Sequence, residues 1–105
     1  MEIVYWSERV QRFILQLDKE TRMRVEKTVD LLEEKGNFLD MPDSKSLGGG
    51  LFELRTHGKR KIRLLYIFKN SKAYVIHGFV KKVWKIPRND LDYARKIQKE
   101  IIRLA

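Results

Sequence analysis

Apolar and polar positions along the chain alternate in some stretches and recur every three to four residues in others, and the two periods divide it into strands and helices. Met1 to Trp6 alternates loosely and is rich in β-formers (Ile3, Val4, Tyr5, Trp6), which predicts a strand. Ser7 is placed to cap a helix, and Val10, Phe13, Ile14 and Leu17 recur at the i, i+3, i+4, i+7 spacing of one helical face. Asp18 can cap a second helix with the stripe Val25, Val29 and Leu32, and Gly36 stops it. The short connection predicts an antiparallel helical hairpin. Residues 36–50, with Pro42, Asp43 and Gly48-Gly49-Gly50, read as a loop whose glycines form a flexible lead-in. Three strands follow, Leu51–Thr56, Lys61–Phe68 and Lys72–Lys82, joined by a Gly-containing turn at His57–Arg60 and a tight turn at Asn70-Ser71. Pro87 and Asn89 open a last helix with Leu91, Ala94, Ile97, Ile101 and Leu104 on its apolar stripe. This order predicts a single α+β domain over residues 1–105, with the helices packed on one face of a small curved antiparallel sheet.

Composition narrows the chemistry. The 105 residues contain no cysteine and two histidines, so disulfides, thiol chemistry and thiolate-ligated zinc are excluded and no metal or cofactor is expected. No apolar run approaches the length of a membrane span and no basic-then-apolar leader opens the chain, so a cytoplasmic protein without membrane contact is expected. The formal charge is +9. It is unevenly distributed: residues 1–50 hold eight Lys/Arg and ten Asp/Glu, a net of −2, whereas residues 51–105 hold fifteen and four, a net of +11. A field of this sign attracts polyanions and says nothing about fold.

Hairpin register turns part of that charge into geometry. A first hairpin centred near Lys59 sets Leu54 opposite Leu64, Phe52 opposite Tyr66 and Arg55 opposite Arg63. With Ile62, Leu64, Tyr66 and Phe68 on the core face, the two arginines meet on the other, which is expected to be solvated. Two like charges across a ladder cost a few tenths of a kcal/mol, roughly, which is most readily tolerated where an anion is gripped between them. A second hairpin in simple register sets Gly78 beside Arg63 as a shallow floor for a phosphate and brings Lys82 to the arginines' face; a one-residue bulge would bring His77 and Lys81 there instead. The bland readings are a merely solvated basic strand, a packed His77, an exposed and idle His57, and Trp6 in the core, with Trp84 free to stack on a base. Gly48-Gly49-Gly50 lacks the Lys-Ser/Thr of a phosphate loop.

Several stretches together carry a family likeness: KSLGGGLFELR at 45–55, KIRLLY at 61–66, HGFVKKVWKIP at 77–87 and DLDYARKIQKEI at 90–101. In this order and spacing they resemble the phage-derived, HigB-like branch of the RelE/ParE toxin superfamily of type II toxin–antitoxin systems. The resemblance implies a β-α-α-β-β-β-α fold and an endoribonuclease that cuts mRNA in the ribosomal A site without metal, by attack of a 2′-hydroxyl on the adjacent phosphate. It also implies neutralisation by a cognate antitoxin, often of helix-turn-helix type. Arg63 matches the family's catalytic arginine, with Arg55 as a second phosphate ligand; Lys82 and Lys85 are candidates for orienting the phosphate or protonating the leaving oxygen. Lys59, Arg60, Lys61, Lys81, Trp84 and Arg88 are the expected RNA-binding residues. The chain departs from the family at the tyrosine some members place after the last strand, where it has Trp84, Ile86 and Pro87. The general base is therefore open among His77, His57 and Lys82. Two other functions share the fold: a ParE-like inhibitor of DNA gyrase, and a non-catalytic RNA- or ribosome-binding protein.

Overall fold

A computed structural model describes residues 1–104. Strand β1 (Glu2–Tyr5) leads into helices α1 (Glu8–Leu15) and α2 (Lys19–Lys35), and a single 3-10 turn spans Gly36–Phe38. Strands β2 (Ser44–Gly48), β3 (Leu51–Arg55), β4 (Ile62–Lys69) and β5 (Lys72–Val80) follow, and helix α3 (Arg88–Arg103) closes the chain. The five strands form one sheet in the order β1-β5-β4-β3-β2. The α+β class read from the pattern holds.

The helical hairpin starts and stops where its capping residues sit. The Val10 amide donates to Ser7 Oγ at 3.5 Å and the Thr21 amide to Asp18 Oδ2 at 3.1 Å. Gly36 closes α2 at φ 53°. Arg60 Nη1 also donates to Asp18 Oδ1 at 3.2 Å. The hydrogen bonds from Thr21, ahead of that from Arg60, hold the Asp18 carboxyl at about 2, below its ordinary value. A carboxyl lowered on folding contributes stability above its unfolded value near 4 that is lost as pH falls through its folded one. Thermal unfolding followed between pH ~5 and ~2 is therefore expected to show an acid-side loss of melting temperature that is smaller in Asp18→Ala. Equal acid sensitivity of the two proteins would contradict it.

Four details differ from the sequence reading. First, residues 44–48 are a strand rather than loop: Lys45 pairs with Glu53 and Ser46 with Phe52. The triglycine is the tight turn of that hairpin, with Gly49 and Gly50 at φ 60° and 81°, as a two-residue connection demands. It is also gripped, because Arg95 donates to the carbonyls of Gly48 and Leu47 and Gln98 to that of Gly49. Second, β1 joins β5 in parallel, so the sheet is mixed.

Third, the helices occupy both faces. Val10, Ile14, Leu17, Val25, Val29 and Leu32 of the hairpin region pack with Leu54, Ile62, Leu64 and Tyr66, whereas Ala94, Ile97 and Ile101 of α3 pack with Leu51, Leu65, Ile67 and Phe79. The near-continuous apolar run of β4 fits a strand covered on both sides. Leu104, assigned to the α3 stripe, is 74% exposed, and Gln98 is buried instead. Fourth, the β4–β5 ladder carries a bulge: Leu65 pairs with His77 but Tyr66 with Val75, leaving Ile76 as the extra residue. Arg63 consequently faces Phe79, and Gly78 faces Leu64 on the hairpin's side of the sheet, so Gly78 is no floor for a phosphate.

Candidate nucleic-acid interface

The first hairpin has the register expected of it, Leu54 opposite Leu64 and Arg55 opposite Arg63. Along the face shared with α3, the sheet changes from apolar at Leu51, Leu65 and Ile67 to charged at Glu53, Arg55 and Arg63. The apolar part lies under α3. The charged part opens into a groove of about 1010 Å³ that is also lined by residues 81–86 of the connection to that helix.

Arg63 forms the floor. It is 5% exposed, contrary to the solvated face expected for it, and its Nη1 donates to the carbonyls of Thr56 at 3.3 Å and Ile62 at 3.0 Å. Burial lowers its pKa, and the neighbouring Arg55 charge adds to that, while Glu53 opposes it. Glu53 is 2% exposed. One of its oxygens lies 3.6 Å from Arg55 Nε and 4.0 Å from Arg63 Nε. Those two Nε donors and Glu53 Oε2 have no hydrogen-bond partner. Buried polar atoms are seldom left unpaired, and here they cluster where a polar ligand could complete them.

Cations rise from the floor to the rim. Lys45 stands opposite Glu53 in the β2–β3 ladder and lines the groove. The Lys81 amide bonds to the Lys61 carbonyl at 2.8 Å, which fixes the residue just past β5. Burial lowers the Lys81 pKa; Glu53 raises it, and Arg63, Arg55 and Lys45 lower it further. Lys59, Arg60, Lys61, Lys82, Trp84 and Lys85 also line it, all on the surface. Trp84 is 88% exposed, an indole face held out to solvent. Because of the β5 bulge, Lys81 rather than Lys82 belongs to the arginines' immediate surroundings.

Three candidate site residues lie elsewhere. His77 is buried, its Nε2 within 2.7 Å of Asp90 Oδ1 in the first turn of α3, and its ring packs on Phe79 and Tyr93. It borders a separate groove, with Phe13 and Gly78, and ties β5 to α3. Arg88 is exposed and pairs with Asp92 at 3.8 Å, outside the arginine groove. His57 also lies off the groove, exposed, 3.4 Å from Asp43. Glu53 and Lys45 are the residues the sequence reading passed over. Glu53 was accessible, since the register that pairs Arg55 with Arg63 puts it on the same face; Lys45 required the unrecognised strand β2. Among the described residues no three His, Asp or Glu side chains gather into a cluster able to hold a metal ion. Nor is any described helix long and apolar enough to cross a membrane.

The family model for phage-derived Gp49-like proteins matches residues 12–99, which include the second half of α1, α2, strands β2 to β5 and most of α3. The chain belongs to the Gp49-like family. That family is one of toxin-like proteins related to the RelE/HigB type. A search of curated proteins gives no match. The Gp49-like match spans every residue that lines the arginine groove.

Proposed function

We propose that this Gp49-like protein is the toxin of a type II toxin–antitoxin system and acts as a ribosome-dependent endoribonuclease. The observation that supports this most is the pairing of Arg55 and Arg63 across β3 and β4 at the floor of a cationic groove, with unpaired guanidinium donors. RNA cleavage by a 2′-hydroxyl builds charge on the non-bridging phosphate oxygens, and preorganised guanidinium groups in a partly desolvated site stabilise such charge well. Burial and the Thr56 and Ile62 carbonyls already hold Arg63, so little reorganisation accompanies anion binding.

In this reading the scissile phosphate rests on Arg55 and Arg63. Lys82 and Lys85 orient the strand, and Lys59, Arg60 and Lys61 hold the flanking phosphates. The exposed Trp84 offers a surface on which a base stacks. A cognate antitoxin of helix-turn-helix type restrains the activity, and the ribosome presents the mRNA. The cytoplasm, where mRNA is translated, is the site of action.

Induction of the wild-type protein in cells, with mapping of mRNA ends, tests the reading. New 5′-hydroxyl ends within translated regions, absent when translation is blocked, are expected. Growth arrest with intact mRNA and a loss of gyrase supercoiling would favour the ParE-like alternative. Salt-sensitive RNA binding with no new ends would favour the non-catalytic one.

A further inference from the structure

Cleavage by a 2′-hydroxyl requires one group to take a proton and another to give one. We propose that Glu53 accepts the proton of the attacking 2′-hydroxyl and Lys81 donates one to the departing 5′-oxygen of an RNA strand in the groove, an assignment that rests on the cleavage reading above.

The groove offers little choice of acceptor. Its charged lining consists of Lys and Arg side chains and one acid, Glu53. Lysine and arginine are ordinarily protonated at neutral pH, whereas a carboxylate is ready to accept. Glu53 lines the groove, is fixed at 2% exposure and braced by Arg55 and Arg63, and its buried Oε2 has no hydrogen-bond partner. The same two arginines that would hold the phosphate therefore hold the base, which places base and phosphate side by side. Neither histidine competes: His77 is spent on Asp90 in another groove, and His57 lies outside this one.

Lys81, which lines the same groove as Glu53 and the two arginines and is anchored through its amide to the Lys61 carbonyl, is the corresponding donor. Desolvation and the charges of Arg63, Arg55 and Lys45 weaken its hold on its proton, against the pull of Glu53. An ammonium of lowered pKa is a better acid near neutrality than an ordinary lysine. In the reaction, the O2′–H bond breaks and its proton passes to Glu53 Oε2, while the O2′ electron pair forms the bond to phosphorus. The P–O5′ bond breaks with its electron pair on O5′, which takes a proton from Lys81 Nζ. A 2′,3′-cyclic phosphate and a 5′-hydroxyl result, and proton exchange with water returns both residues to their starting states.

The test compares single-turnover cleavage of ribosome-bound mRNA by the wild type, Glu53→Gln, Glu53→Ala and Lys81→Arg across pH. It also measures affinity for the same mRNA carrying a 2′-O-methyl group at the cleavage site. Glu53→Gln is expected to slow cleavage by ~10²–10⁴-fold and to remove the acid limb of the rate profile, while affinity for methylated mRNA stays within about twofold. Added formate is expected to restore part of the Glu53→Ala rate, which a merely bracing role would not allow. Because the donor must be protonated, the rate falls as pH rises through the Lys81 pKa, and Lys81→Arg should carry that limb to higher pH.

Glu53→Gln cleavage within about twofold of wild type, or a loss of affinity parallel to the loss of rate, would overturn the acceptor assignment. An alkaline limb unmoved in Lys81→Arg would overturn the donor, and this decision does not depend on whether the Glu53 variants fold. If the wild type cuts no mRNA, the cleavage reading and this assignment fall together. If it cuts and Glu53→Gln cuts equally well, only the assignment falls.

Discussion

Arg63→Ala is expected to abolish growth arrest and to slow mRNA cleavage by ~10²–10³-fold or more, the loss typical of removing one preorganised donor from a developing oxyanion. Two facts make this the most consequential single change in the groove. Arg63 is the deepest cation there, 5% exposed, and its orientation is set by the Thr56 and Ile62 carbonyls rather than by a ligand. Its loss would also leave Glu53 with Arg55 as its remaining close ion-pair partner, 3.6 Å away. Since the groove admits water, the folding penalty should fall short of that for a fully enclosed pair, but melting must be measured alongside activity. Arg63→Lys separates charge from geometry. It keeps a cation but loses the planar fork, and an intermediate rate is expected. A folded Arg63→Ala protein that still cleaves mRNA at the wild-type rate would remove the arginine pair from the mechanism.

Gly78→Ala is expected to destabilise the fold by about 1–3 kcal/mol, as overpacking of a filled core does. A Cβ built there would lie 2.5 and 2.7 Å from the Phe13 ring and 2.9 Å from Leu64 Cδ2. Gly78 is not among the residues with positive φ, so the requirement is one of space and not of backbone conformation. The ring of α1 rests on bare β5 backbone, and this contact sets the spacing between helix and sheet. Phe13→Leu should recover part of the loss in the double variant, a coupling that additive, unrelated effects would not produce. Gly78 lies on the hairpin's face of the sheet, away from the arginine groove, so cleavage per folded molecule should be preserved in Gly78→Ala. A melting temperature equal to wild type would show that Phe13 moves aside without cost.

Much of this architecture is legible in the chain because local chemistry fixes it. Ser7, Asp18 and Gly36 mark helix ends whose caps form between near neighbours. Asn70 and Ser71 both adopt positive φ in the turn that pairs Lys69 with Lys72. The hairpin at 57–60 carries the cross-strand pairing of Arg55 and Arg63, and the face they share follows from period-two alternation. The residues less legible are those whose environment comes from far along the chain. Ser44–Gly48 is too polar and short to announce a strand, and pairing with β3 makes it one. The bulge at Ile76 shifts later β5 residues by one place, exchanging Gly78 for Phe79 opposite Arg63. Alternation alone offers no means of choosing between the two registers.

The sequence by itself determined the order of every element except β2, the caps, the concentration of positive charge in the second half and the meeting of two arginines on one face. Each depends on residues a few positions apart or on a single hairpin. Tertiary structure decided what that face becomes. Placing α3 on the side of the sheet opposite the helical hairpin covers the apolar part of the face and leaves its charged end open as a groove, with Arg63 buried at the floor. The bulge selects Lys81 for it, and α3 draws His77 into a hydrogen bond with Asp90. Burial, desolvation and the approach of charges from three strands and two connecting segments are properties of the packed molecule. They turn Glu53, one acidic residue in a basic stretch, into the sole acid of a cationic groove.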